Sequence, residues 1–287
     1  MLARRSAAAS QSHSRAIARS MGATPSALPA LAAAVARLNS LGCHPPSVLK
    51  FLASGGVFAG VSCPRAIDLG CGRGELAVAM AAAFGAEVLG LDLHTEFLNY
   101  ARKLERVRAA ATPGAAGKCR FQKADATQSP RNRSPARRAR DRAKAGGAGQ
   151  GGYQLAVMLN VLPFDRAAPL ARQHVAPGGY YLIDDALAKP GSVKALQTGV
   201  PPLSEVRAYM SSLGDKLVGT KSLARVVRSE MPARLAQLAS GISDAGIQWP
   251  KCRPALAAML QSHQHAATLM GTLLHPTLLL VRRGPSI

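Results

Sequence analysis

Acidic residues are missing from the first 67 positions of this 287-residue chain, which holds 36 lysines and arginines against 15 acids overall. Residues 1–67 and a second basic block at residues 131–144 carry most of the net charge of +21, and the remainder is mildly basic. Charge confined to two segments is a poor indicator of nucleic-acid binding. Residues 1–35, rich in Arg, Ser and Ala, predict a transit peptide for a mitochondrion or a plastid; a disordered basic tail is the alternative.

Cysteines are few and show neither a disulfide nor a metal-binding pattern. Their number is five, which is odd, and no CxxC pair occurs. This argues against a disulfide framework or a zinc site and favours a reducing compartment. His263 and His265 are two residues apart, so a helix would turn them to different faces, and no metal site is predicted. No run of about 18 apolar residues occurs, which argues against a membrane span.

Short apolar segments alternate with segments of helical composition through the middle of the chain. This alternation predicts an α/β fold, with a parallel sheet that is covered by helices on both faces and joined by right-handed crossovers. Strands are predicted at residues 65–70, 86–93, 118–126, 153–162, 178–187 and 275–283, and helices at 46–60, 74–85, 95–111 and about 165–175.

Three segments depart from this alternation. Residues 128–152 are rich first in Arg and then in Gly, which predicts a disordered, solvated insertion. An RNA-binding arm is the alternative, and the lack of aromatic residues for base stacking weighs against it. Residues 188–222 are irregular and rich in proline, and residues 223–271 are mostly helical in composition.

The stretch "IDLGCGRGELA" (residues 67–77) places glycines where the first strand ends and a helix begins. Such a turn brings backbone N–H groups near a ligand without a Cβ in the way, at the edge where open α/β sheets bind ligands. The dinucleotide fingerprint requires GxGxxG, whereas Gly70, Gly72 and Gly74 follow GxGxG. A dinucleotide site nevertheless stays an alternative.

This stretch resembles motif I of the class I S-adenosylmethionine-dependent methyltransferases. The resemblance covers residues 65–187 and returns at residues 275–283. It implies a doubly wound, mostly parallel seven-stranded sheet of the Rossmann-like type, with a helical lid region. It also implies S-adenosyl-L-methionine as the cofactor.

The resemblance assigns cofactor contacts to the glycine loop and to two further strand ends. Asp68 and Gly70 would lie beside the methionine moiety. Asp92, in "VLGLDL", would accept hydrogen bonds from both ribose hydroxyls, since a carboxylate offers two acceptor oxygens to a vicinal diol. Asp125, in "KADA", would meet the adenine amino group. A helix N-cap for Asp92 and a surface turn for Asp125 are the structural alternatives.

Three further residues are candidates for the chemistry, which requires proximity, orientation and, for some acceptors, a general base. Asp184 and Asp185 end the predicted fifth strand in "VAPGGYYLIDD", and one of the two should face the pocket because strand side chains alternate. We expect one of them to orient the substrate or act as the base; capping is the alternative. Asn160, in "LNVLPF", would orient a substrate or cap its strand, and this segment is not the Asn-Pro-Pro-aromatic signature of enzymes that methylate nucleic-acid amino groups.

The predicted function is methyl transfer from S-adenosyl-L-methionine to a small-molecule acceptor. Residues 36–287 would form the methyltransferase domain, with residues 188–250 as a lid over the substrate, as family members often have there. Two alternatives stay open: a methyltransferase acting on RNA or protein, marked by strong salt dependence, and a non-catalytic cofactor-binding subunit. The sequence predicts neither the accepting atom nor the oligomeric state.

Overall fold

The computed structural model describes residues 27–35, 38, 44–126, 152–189, 191–192, 200–270 and 273–285. Its helices and strands follow the predicted alternation from the first strand onward. In chain order they are α1 (Leu28–Val35), α2 (Pro45–Ser54), β1 (Arg65–Leu69), α3 (Glu75–Phe84), β2 (Glu87–Asp92), α4 (Thr95–Ala111), β3 (Lys118–Lys123), β4 (Tyr153–Met158), α5 (Phe164–His174), β5 (Val175–Ala188), α6 (Leu203–Ser212), β6 (Lys216–Ser222), α7 (Ala224–Gln248), α8 (Arg253–Leu269) and β7 (Leu274–Arg282).

The strands form one seven-stranded sheet in the order β3-β2-β1-β4-β5-β7-β6. Strands β1 to β5 pair in parallel, and β7 runs antiparallel to both β5 and β6. This confirms the predicted fold class. The strand order reverses at β1, so the carboxyl ends of β1 and β4 flank the crevice where such sheets bind ligands.

Each face of the sheet has its own apolar core. One core joins the central strands to α2 and α3, and the other joins them to α5 and α6. Successive strand residues therefore alternate between the two cores, as Tyr181 and Leu182 of β5 do. The predicted insertion at residues 128–152 lies outside the described residues except for Gly152.

Strand β5 contains the predicted strand of residues 178–187, but it does not end at the two aspartates. Its parallel pairing with β4 stops at Ile183, whereas its antiparallel pairing with β7 continues to Ala188. Asp184 and Asp185 therefore do not end the strand, which corrects the prediction. They lie just beyond the end of β4, where one side of β5 is open to the loop that follows β4.

A third apolar cluster lies outside the two sheet cores and joins α1, α7 and α8. We call these three helices the cap. The cluster also takes in Phe97 from the first turn of α4, immediately after the carboxyl end of β2. The cap therefore packs at the same edge of the sheet as the glycine loop.

The cap differs in extent from the predicted tail and lid. Helix α1 lies inside residues 1–35, which the sequence assigned to a transit peptide or a disordered tail, and residues 1–26 lie outside the described residues. Strand β6 lies inside the predicted lid of residues 188–250, so this part of the lid belongs to the sheet. Within the described parts of the chain, no helix has the length and apolar character needed to span a membrane.

Candidate active site

The glycine loop after β1 adopts a backbone that residues with side chains rarely adopt. Gly70, Gly72 and Gly74 have φ values of 80°, 53° and 79°. A Cβ on Gly74 would lie 2.7 Å from Cβ of Ala101, and one on Gly70 would overlap Cγ2 of Val161. Two of these glycines are therefore required by close packing, and the contact with Val161 shows that the loop after β4 touches the glycine loop.

The backbone amides at the start of the glycine loop are satisfied within the protein. Gly70 N and Cys71 N both donate to the carbonyl oxygen of Leu91, at 2.8 and 2.9 Å. Gly72 N donates to Asp92 Oδ2 at 2.9 Å. These three amides therefore already have acceptors within the protein, and their predicted proximity to a ligand stays a prediction. A dinucleotide pyrophosphate depends on such amides, so this geometry disfavours the dinucleotide alternative.

Asp92 holds the ends of β1 and β2 together through both of its carboxylate oxygens. Oδ2 accepts from Gly72 N, and Oδ1 accepts from His94 N at 2.9 Å. Asp92 is 8% exposed. Each carboxylate oxygen has a second lone pair, so the group retains acceptor capacity for a ligand hydroxyl. The assignment of Asp92 to a ribose stays a prediction.

Asp68 lies under the loop among other acids. It is 4% exposed. Burial, together with the smaller effect of the negative charges of Asp92 and Glu75, raises its pKa to about 7. Because Glu75 is paired with Arg73, Asp68 and Asp92 are the two acids that make this loop better suited to a cationic ligand than to a phosphate.

Asp125 follows β3 at the same edge of the sheet. The neighbouring Ala124 N donates to the carbonyl oxygen of Asp92 at 2.9 Å, which fixes this strand end beside that of β2. Asp125 is half-buried. Its predicted contact with adenine stays a prediction.

The loop after β4 contains Asn160, the one non-glycine residue with positive φ (57°) in the described chain. Its N–H donates to Asp184 Oδ1 at 2.7 Å. An asparagine tolerates this conformation better than most residues, and strain of this kind is common at functional sites. Because the adjacent Val161 touches the glycine loop, Asn160 and Asp184 lie close to that loop.

The two aspartates of β5 have different surroundings. Asp185 accepts from the N–H of Phe164, the first residue of α5, at 2.9 Å, and from Ala186 N at 2.7 Å. It therefore caps a helix N-terminus, where a negative charge is favourable. Asp184 lies on the opposite face and holds the Asn160 loop. Burial raises the pKa of Asp184 to about 7 and that of Asp185 to about 6.

Two features of the site escaped the sequence-based predictions. Arg73, inside the glycine loop, is buried against the end of α1. The position of α1 itself was also missed, because a short alanine-rich helix gives no sign of what it packs against. His263 and His265 lie on different faces of α8, as predicted. His263 is buried, and that burial lowers its pKa, whereas His265 is exposed.

A family model described as a methyltransferase domain matches residues 66–140, which contain the glycine loop, Asp92 and Asp125. Over this segment the chain is similar to methyltransferase domains. The match agrees with the resemblance that was predicted from the residues of the glycine loop. The comparison with curated proteins gave no match.

Solved methyltransferases share the fold at low sequence identity. A methyltransferase from Geobacter sulfurreducens, in complex with S-adenosyl-L-homocysteine, has a TM-score of 0.63 and 17% identity over 88% of this chain and 97% of its own. One from Thiobacillus denitrificans, in complex with the same compound, gives 0.61 and 17% over the same shares. A cyclopropane synthase from Mycobacterium tuberculosis gives 0.57 and 15% over 82% and 84%. At these identities the likeness establishes the fold alone.

The residues of this site fit the family's cofactor, S-adenosyl-L-methionine. The loop has no Cβ at Gly70, Gly72 and Gly74, and Asp92 has acceptor capacity for a diol. The acidic surroundings of Asp68 suit a sulfonium and an ammonium group. When bound, the cofactor supplies a methyl group on a positively charged sulfur.

Asp68→Asn is expected to remove a pH dependence from cofactor binding. The pKa of Asp68 is raised from 3.8 to about 7, so the wild-type carboxyl gains its charge across neutrality. The ammonium group of S-adenosyl-L-homocysteine binds the charged form better, so affinity should rise about tenfold from about pH 6 to pH 8. Titration calorimetry at three pH values measures this, with the exposed Glu205→Gln as the matched control.

Asp68→Asn should also change the stability of the ligand-free protein: it weakens ligand binding at high pH but stabilises the fold there. An acid whose folded pKa is raised stabilises the fold below its unfolded pKa, and this contribution is lost as pH rises through about 7. Asp68→Asn should therefore raise the melting temperature of the ligand-free protein at about pH 8. Equal pH dependence of binding in wild type and Asp68→Asn would contradict this role for Asp68.

Proposed function

We propose that this chain transfers a methyl group from S-adenosyl-L-methionine to a small-molecule acceptor that binds between the glycine loop and the cap. The observation that carries the proposal is the packing of the cap at the ligand-binding edge, through Phe97 of α4 and Arg73 of the loop. A helical cover at this edge excludes water and suits an acceptor small enough to be enclosed. A polymer acceptor would need this edge to be open.

In this proposal Asp184 is the general base that takes the proton from the methyl-accepting group of the substrate. Its pKa of about 7 leaves it partly ionised at neutral pH, which is the range in which a general base is most effective. Its contact with the Asn160 N–H fixes the loop beside it, so the carboxylate has a defined position. Asp185 supports the same region from the other face of β5 by capping α5.

The experiment is a methyl-label transfer screen with the full-length chain. Labelled S-adenosyl-L-methionine is incubated with the protein and with separate small-molecule, RNA and protein fractions. We expect label in a small-molecule product, absent with the Asp92→Ala variant. Label only in RNA or only in protein would overturn the acceptor class, and tight cofactor binding without label in any fraction would support the non-catalytic subunit.

We also propose that the chain acts in an organelle and that any processing removes no more than residues 1–26. The transit peptide rests on the composition of the first 35 residues, which lack acids. Because α1 begins at Leu28 and buries Leu31 and Ala34 in the cap, a cut at residue 35 would remove part of the fold. Mass spectrometry of the protein isolated from cells tests this, and a mature chain that begins beyond Ala27 would contradict it.

A further inference from the structure

Arg73 links the glycine loop to the cap. Its side chain is only 3% exposed. Nη1 donates to the carbonyl oxygen of Val35 at 3.1 Å, and Nη2 donates to that of Leu38. Nε donates to Glu75 Oε1 at 2.7 Å, and the guanidinium lies 4.8 Å from the ring centre of Tyr100.

These contacts make the loop and α1 depend on each other. Val35 is the last residue of α1, and the final carbonyls of a helix have no partner within the helix. Here the carbonyl oxygen of Val35 accepts from Arg73 and also from Leu38 N, at 3.1 Å. A buried guanidinium in turn requires such acceptors, because an unpaired buried charge is costly. If α1 leaves the cap, Arg73 therefore loses two of its acceptors.

Helix α1 is also held by a close backbone contact on its other side. A Cβ on Gly241 of α7 would overlap the carbonyl oxygen of Ala34. This glycine permits the approach of α1 to α7, and any side chain there must push α1 away. The contact belongs to the cap and is separate from the glycine loop in sequence.

We infer that Arg73 is a positioning residue that couples the docking of α1 to the binding of the S-adenosyl ligand. The ligand binds the arrangement in which α1 is docked and Arg73 holds the loop. Ligand binding therefore favours docking of α1, and docking of α1 favours ligand binding. This inference rests on the proposed site at the glycine loop. Couplings between sites of this kind typically change affinity by about 5- to 150-fold.

The first test displaces α1 without touching the loop. Gly241→Ala should weaken binding of S-adenosyl-L-homocysteine by about tenfold or more in titration calorimetry of the full-length protein. Gly246→Ala is the matched control on the same helix, since its Cβ would lie 3.6 Å from Arg253 Cγ, an ordinary contact. We expect Gly246→Ala to bind as the wild type does. Equal affinity of Gly241→Ala and Gly246→Ala would overturn the inference.

The second test follows the cap by fluorescence, independently of activity. Trp249 is the one tryptophan of the chain and packs against the apolar cluster of the cap. Ligand binding to the wild type should shift its emission. Arg73→Gln should abolish this shift even at saturating ligand, whereas Arg73→Lys, which retains a donor, should restore part of it. An unchanged shift in folded Arg73→Gln would overturn the coupling.

A double variant separates coupling from two independent defects. If Arg73 acts through α1, the double variant Arg73→Gln with Gly241→Ala should bind the ligand no more weakly than whichever single variant has the lower affinity. Fully additive losses would contradict the inference. A wild type that binds no S-adenosyl ligand would instead contradict the proposed function, so the two failures are distinguishable.

Discussion

Replacing Asp92 with alanine is expected to lower the affinity for S-adenosyl-L-homocysteine by at least about a hundredfold. A hydrogen bond to an ionised carboxylate contributes about 1.5–3 kcal/mol, and we expect two such bonds from the ribose. A loss of about 3 kcal/mol corresponds to a hundredfold change in affinity. The variant also loses the acceptor that Gly72 N and His94 N share, so the loop becomes less ordered. Titration calorimetry measures the effect directly.

The controls for this prediction distinguish the effect of the Asp92 carboxylate from the effects of side-chain shape and of overall negative charge. Asp92→Asn keeps the shape and one acceptor oxygen, so its loss should be smaller than that of Asp92→Ala. Glu96→Gln removes an exposed acid from the first turn of α4 and should leave the affinity unchanged. Near-wild-type affinity in folded Asp92→Ala would show that the carboxylate does not bind the ligand.

The second large effect is expected for Asp184→Asn, in the rate of methyl transfer rather than in cofactor binding. General base catalysis typically contributes about 10²- to 10⁴-fold, and asparagine cannot accept the proton. With the acceptor identified by label transfer, kcat should fall within this range while the affinity for S-adenosyl-L-homocysteine stays unchanged. In the wild type, kcat should rise with pH and level off above about pH 7, and this dependence should vanish in Asp184→Asn.

Asp185→Asn is the matched variant, since Asp185 is adjacent in β5 but caps α5. It should lower the melting temperature because Phe164 N and Ala186 N lose a charged acceptor, with a much smaller effect on kcat. If Asp185→Asn reduced kcat as strongly as Asp184→Asn and removed the same pH dependence, the assignment of the base to Asp184 would be wrong.

Strands β1, β2, β4 and β5 were predictable because each contains a compact apolar run. Strand β6 was not, since Lys216–Ser222 contains four polar residues and a glycine, and its pairing with β7 determines its conformation. The position of Asp184 and Asp185 inside β5 rather than at its end was also missed, because it depends on antiparallel pairing with β7 rather than on local sequence. Long-range pairing thus determined what local patterns did not.

The candidate site was predictable where it follows a local motif. Gly70, Gly72, Gly74 and Asp92 could be located because the glycine loop and the strand ends are contiguous patterns in the sequence. The different roles of Asp184 and Asp185 depend on which loop approaches each face of β5, and sequence alone could not assign them. Arg73 gave no signal, because the two backbone carbonyls that it binds lie more than 30 residues away, at the end of α1 and just beyond it.

The most direct measurement of the central claim is calorimetric titration of the full-length chain with S-adenosyl-L-homocysteine and, separately, with NAD. The loop amides satisfied by Leu91 and Asp92, together with the acids around Asp68, predict micromolar binding of the first ligand and none of the second. Asp92→Ala should abolish the binding that is seen. Binding of NAD, or of neither compound, would contradict the assignment of this loop to S-adenosyl-L-methionine.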